Sequence, residues 1–256
     1  MVLLCTETDL SHNSFDILGS TLACLKDDVP SVAFSTGASS LLQDAEGNHC
    51  SSFPAVLLQM IETGAQFCQS SSQYFSTSLR QHQAVCLLRA AQTFDPLVWA
   101  TSIQVRSPTT DLVDRTHVAY AHRAAVCIYL SRVALSLDTT ICSSKLEINV
   151  ADALTHLPFI RPDNALFTAT TWPAFVAGAE TNDCASQDWV AMRFRELWDV
   201  EPWGLIKGAL GVLERIWAGK RSGLGTGSDE YHSMEKKESG DWIKGLRETG
   251  VDWLVV

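Results

Sequence analysis

"DLVDRTHVAYAHRAAVCIYLSRVAL" (Asp111–Leu135) is the stretch whose reading decides the fold. Its apolar residues recur with helical rather than alternating spacing, which predicts a helix from about Asp111 to Leu137. The centre, Ala124 to Leu130, is apolar nearly all round. A helix of that kind has no face suited to water, so it belongs inside a group of other helices.

Working outward, the same periodicity supplies the neighbours. One long helix is expected from Ser71 to Phe94, closed by Asp95-Pro96, and another from Lys145 to Leu157, stopped by Pro158. Beyond it come helices over about Thr171–Thr181, Gln187–Val200 and Pro202–Ala218. In the last of these Trp203, Ile206, Leu210, Leu213 and Trp217 fall on one stripe, with Pro202 in the tolerated first turn. Lys220 to Asp229 is rich in Gly and Ser and reads as an exposed flexible loop, with the loop boundaries at about 220–230. A short helix near Asp241–Thr249 precedes the apolar ending "GVDWLVV".

Residues 1–51 are Ser-rich and partly helical in this reading, with helices near Ser14–Lys26 and Ser31–Asp44. Few runs alternate as a strand would. The expected fold is all-α, an irregular multi-helix bundle, with residues 52–256 forming the helical domain.

Composition narrows the function classes. The 256 residues are 46% hydrophobic and 19% charged, a globular balance that can bury a substantial core. The formal charge of −10 and the scattered Lys and Arg oppose direct binding to a phosphate backbone. No apolar run approaches the roughly 20 residues that span a bilayer, and Met1–Cys5 has no signal-peptide character. The expectation is a soluble intracellular protein without membrane or nucleic-acid contacts of its own.

Eight cysteines are present, but no two form a C-x-x-C pair, so neither zinc nor a disulfide framework is indicated and no cofactor is expected. Cys86 and Cys127 sit in helical apolar runs and read as small core hydrophobes. His82, His117, His122 and His156 read as separate helical histidines. "GLGTG" (Gly223–Gly227) follows a helix rather than a strand and lacks the Lys-Ser/Thr of a phosphate loop. "NDCASQDWV" supplies Asn182, Asp183 and Ser186 at the spacing of a class I terpene-cyclase magnesium motif, but Val190 stands where the last carboxylate belongs. A terpene-cyclase-like enzyme is therefore the alternative to a non-enzymatic reading, and a passive helical interaction scaffold is the other.

"TTWPAFVAGAE" (Thr170–Glu180) and the segments after it resemble the regulatory domain of fungal zinc-cluster (Zn2Cys6) transcription factors. The resemblance rests on Trp172, Pro173, Phe175, Ala177, Gly178 and Glu180, on Arg193 or Arg195 some distance on, and on Ala209, Leu213, Glu214 and Trp217. "FDPLVWA", "AAVCIYLSR" and the Trp-containing C-terminal end resemble further family segments, so the likeness runs from about Ser52 onward. It implies a nuclear regulator that works through protein contacts and a small effector, in processes that include secondary metabolism. Because no six-cysteine cluster is present, the expectation is a regulatory portion that pairs with a DNA-bound zinc-cluster factor. On a helix, Trp172, Phe175, Val176 and Ala179 share a face, Ala174 and Gly178 let a neighbour come close, and Glu180 is expected to meet Arg193 or Arg195. The motif is thus read first as packing, with an effector pocket as the functional alternative.

Overall fold

The computed structural model describes residues 46, 52–69, 77–106, 110–224 and 241–248; the expected helices before Asp44, most of the Gly/Ser stretch and the apolar ending lie outside them. The described residues form helices and two short 3-10 turns, with no strand among them. In chain order the helices are α1 (Ala55–Gln69), α2 (Thr77–Thr93), α3 (Pro96–Arg106), α4 (Leu112–Ser136) and α5 (Ser143–His156). They continue with α6 (Thr171–Glu180), α7 (Cys184–Val200), α8 (Gly204–Leu224) and α9 (Trp242–Glu248). The 3-10 turns are Leu157–Phe159 and Thr168–Thr170.

Helix α4 is the axis, as its sequence demands. Every residue from Ala124 to Leu130 is buried, and α1, α2, α3, α5 and α6 all pack around it. It ends where Asp138 takes a positive φ of 58°, a left-handed conformation that Asp tolerates better than most residues. Asp138 and Thr139 then return their backbone N–H groups to Leu135 and Ala134, satisfying carbonyls that the helix leaves open.

Two helices were not anticipated from periodicity. Helix α1 covers a stretch to which the periodicity assigns no element, and α3 begins at Pro96, which in the sequence reads only as a stop. Asp95-Pro96 does both jobs: the proline sits in a first turn, and the Asp95 carboxylate accepts from the N–H groups of Leu97 and Val98. The expected helix from Ser71 is seen from Thr77. Helix α8 reaches Leu224, so Lys220–Leu224 continue the helix instead of opening a loop. Trp203 precedes α8 and is 46% exposed, outside the buried stripe of Ile206, Leu213 and Trp217. Cys86 is exposed, and of the pair only Cys127 belongs to the core.

One principal apolar cluster joins α1, α2 and α4 through α9. A polar knot secures its N-terminal side. Arg115 is fully buried, donates to both carboxylate oxygens of Asp111 at 3.0 Å, and reaches the Ser52 hydroxyl and the Glu46 carbonyl. The Glu46 carboxylate in turn accepts from the Ala55 N–H at 2.7 Å, the Trp99 indole at 3.1 Å and Arg106 at 2.7 Å. Burial of those charges is tolerable because each has partners.

Candidate functional site

Helix α6 carries the Trp-Pro motif, and it is buried from Thr171 to Ala179. Ten residues with so little polar surface fold as a helix only when others surround them; here α4, α5, α7 and α8 do so. The entry is fixed by the 3-10 turn before it, in which the Thr170 and Thr171 hydroxyls donate to the carbonyls of Phe167 and Thr168. Pro173 lies in the first turn, where no intrahelical N–H bond is lost. Trp172 packs against Phe53, which also stacks on the His122 ring at a 4.0 Å centroid distance.

Each motif residue then has a distinct task. Ala177 meets Ala124 of α4 and Ala153 of α5, a point where three helices touch through methyl groups. Gly178 faces Val190 of α7; a Cβ there would lie 2.7 Å from Val190 Cγ1 and 3.5 Å from Leu213 Cδ2. The expected close approach is therefore made, and its partner is α7. The Gly178 carbonyl accepts from the Trp217 indole at 2.8 Å, which ties α8 to the same spot. Phe175 is fully buried and meets Trp242 of α9 edge-on at 5.9 Å.

The end of α6 is an electrostatic junction. Glu180 pairs with Arg132 of α4, not with Arg193 or Arg195, accepting at 2.5 and 2.9 Å in a two-pronged arrangement. It also accepts from the Trp242 indole at 3.0 Å. The Lys220 ammonium donates to the carbonyls of Ala179 and Glu180, both at 2.8 Å, and to Thr181 at 3.3 Å. A cation on the last carbonyls of a helix satisfies open acceptors and opposes the dipole. Burial pushes Lys220 down to about 8, with Glu180 opposing that shift and Arg132 adding to it.

Arg193 has a different station. Buried on α7, it donates to the Leu157 and Ile160 carbonyls at 2.7 Å each, holding the turn after α5. Its guanidinium lies 4.6 Å from the Phe167 ring centroid and 5.1 Å from that of Trp189. Burial lowers its pKa, and Glu196 opposes the shift. Arg195 and Glu214 are exposed. Trp172, Pro173, Phe175, Ala177, Gly178, Glu180, Arg193, Leu213 and Trp217 thus lie in the interior or at its junctions, and Glu214 stands apart.

The "NDCAS" stretch begins α7. Asp183 Oδ2 accepts from both the N–H and the hydroxyl of Ser186 at 2.8 Å, and this N-cap lowers the Asp183 pKa, chiefly through the backbone bond. Val190 is buried against Gly178. The spacing that matched a metal motif is that of a capped helix.

A second constellation was not foreseen. His117 of α4 and His156 at the end of α5 bring their Nδ1 atoms to 2.8 Å. Phe159 stacks on His117 at 4.0 Å and Tyr120 on His156 at 4.4 Å, both with ring planes 9° apart. His156 Nε2 lies 3.6 Å from Asp152, which pairs with Arg123 at 3.1 Å. Burial lowers the His117 pKa, His156 lowers it further, and Asp114 pulls the other way. Asp152 is lowered as well, first by the neighbouring His156 and then by Arg123. The Asp152/His156 spacing of four was visible in the sequence; the partner 39 residues earlier was not. Next to this cluster an open groove of about 470 Å³ runs between α2, α4 and α5, lined by Gln92, Arg123, Cys127, Asn149, Asp152 and Thr155 among others. The Cys127 thiol is pushed up to about 12 by burial, so it is not a nucleophile there.

The interlocking helices, tied together by the Arg132–Glu180 pair and the buried Arg115 and Arg193, define an all-α helical domain. The chain belongs to the family of the fungal specific transcription factor domain, whose family model matches residues 36–256. It is 33% identical over 232 residues to the acriflavine sensitivity control protein acr-2 of Neurospora crassa. That alignment covers 84% of this chain but 36% of the relative, so the chain spans about a third of the relative's length. No solved structure matches the chain. Among the described residues no helix is long and apolar enough to cross a membrane.

Proposed function

We propose that this domain acts in the nucleus as the regulatory part of a fungal transcription regulator, working through protein contacts. The observation that carries the reading is the family match over residues 36–256. DNA is read by a partner in this proposal, a DNA-bound zinc-cluster factor, because a chain of net charge −10 with scattered basic residues is poorly suited to neutralising phosphates. A small effector shifts the domain between conformers by preferring one of them. The groove between α2, α4 and α5 is the place proposed for it: it measures about 470 Å³, is open to solvent and is lined largely by polar side chains, so it suits a small polar effector. The name of the Neurospora crassa relative suggests a process, control of acriflavine sensitivity.

The test is to fuse the whole chain to an unrelated DNA-binding domain and measure a reporter behind the matching site. Reporter output should change several-fold relative to the DNA-binding domain alone. A fusion that is expressed and nuclear, yet leaves the reporter unchanged, would overturn the reading. The isolated chain should also leave a promoter fragment unshifted in a gel-shift assay.

A further inference from the structure

We propose that His117 and His156 form a binding site for a borderline divalent transition ion, of the chemistry shared by Zn²⁺ and Ni²⁺, which links α4 to α5. Two imidazole nitrogens from different helices converge at 2.8 Å, close to the roughly 3.3 Å that a tetrahedral ion with bonds of about 2.0–2.1 Å requires. A spread of about half an ångström therefore admits the ion. In its absence one ring donates its Nδ1 proton to the other; when the ion binds both Nδ1 lone pairs, that proton moves through water to Nε2 of the donor ring, so both imidazoles ligate in the neutral form.

Three features prepare the pair for a metal. Both rings are clamped face-on, His117 by Phe159 and His156 by Tyr120, so little side-chain freedom remains to be lost. The far nitrogen of His156 faces the Asp152 carboxylate at 3.6 Å, the side from which a carboxylate orients a ligating imidazole. Both histidines are half-buried rather than sealed, so an ion can enter and keep water ligands. Soft thiolate chemistry is absent, and nitrogen ligands suit zinc, nickel and copper better than calcium or magnesium.

No cluster of three or more His, Cys, Asp or Glu suited to a metal occurs among the described residues. Water must therefore complete the coordination shell, which sets a modest, micromolar affinity. The site is independent of the transcriptional reading and stands or falls without it.

The experiment is calorimetric titration of the untagged full chain with ZnCl₂ and, separately, NiCl₂. One ion per chain should bind with micromolar half-saturation. His117→Gln and His156→Gln should each abolish it, and Asp152→Asn should weaken it about tenfold. If a variant fails to keep its helical circular dichroism, the ring signals of the unaltered protein decide: those of His117 and His156 should move on adding Zn²⁺. No saturable binding up to a few hundred micromolar overturns the proposal. So does binding that persists in both variants, or that leaves those two rings unmoved, because the ion then sits elsewhere.

Discussion

Gly178 shows how one missing methyl group positions a helix. A Cβ at that site would approach Val190 Cγ1 to 2.7 Å, and Val190 is fully buried, β-branched and confined. Gly178→Ala gains up to about 1 kcal/mol of helix propensity, but overpacking costs about 1–3 kcal/mol. The expected net effect is a loss of stability, larger still for Gly178→Leu. Gly64 is the comparison: its Cβ would meet Leu130 Cδ2 at 2.8 Å and Tyr129 Cε1 at 3.3 Å, and although both residues are buried, the Leu130 contact is the far end of a side chain with more rotamers than Val190. Thermal melts should therefore rank Gly64→Ala above Gly178→Ala, and the reverse order would show that the α6–α7 contact is soft. His122 gives a second prediction at this scale. Burial holds its folded pKa down at about 3, against an ordinary 6.5, while Nε2 meets the Ala169 carbonyl at 2.9 Å. The unfolded chain takes up the proton first, so His122's contribution is intact above pH 6.5 and is lost as pH falls from 6.5 toward 3. The limiting slope is about 1.4 kcal/mol per pH unit. His122→Phe keeps a flat ring beside Phe53 but should flatten denaturant-derived stability between pH 6.5 and 5 relative to the unaltered protein. Equal slopes would mean that other groups carry the acid sensitivity.

Between elements, the deciding contacts are made by charged residues at helix ends. Glu180 joins α6 to Arg132 of α4 and to Trp242 of α9, with 9% of its side chain and 14% of that of Arg132 exposed. Breaking such a pair strands the remaining charge. Glu180→Ala should therefore cost about 3 kcal/mol, the low end for a buried pair because Arg132 keeps some water. Replacing both residues with Met should recover much of that loss, and a denaturant titration of the three variants measures it. If the double variant is no better than the single one, the pair is attractive beyond its desolvation cost. This contact also marks where sequence reading stops. The α4 helix was found nearly to its ends because burial on every side leaves an unmistakable apolar run. Gly178 was understood because small residues at a spacing of four have one common use. The sequence points Glu180 toward Arg193 or Arg195 because they are close along the chain, whereas Arg132 lies 48 residues earlier and nothing local announces it. The His117–His156 meeting was hidden for the same reason. Helix α3 was missed because Asp95-Pro96 is a stop and a start at once.

At the scale of the molecule, α4 and α6 belong to one apolar cluster that takes in residues from Phe53 to Ile243. The polar knot at Glu46 and Arg115 fastens its beginning, and the Glu180 junction fastens its end. Two central helices in mutual contact organise the bundle: α1, α2, α3 and α5 lean on α4, while α7 and α8 lean on α6, which itself packs on α4. Separating the two sides would bare the faces of both central helices at once, an apolar area that water penalises at about 25 cal/mol per Å². Cooperative unfolding follows from that geometry, because no sub-bundle remains with a closed core. Far-ultraviolet circular dichroism, reporting helix, and the fluorescence of the eight tryptophans, of which Trp172, Trp217 and Trp242 lie in that shared core, should trace coincident urea transitions with one midpoint. Two separated midpoints would divide the helices into independent units. A metabolite or ion bound between α2, α4 and α5 would then be felt only locally. With a single transition, the proposed effector would bind against the element to which both sides are fastened, as the proposed regulatory role requires.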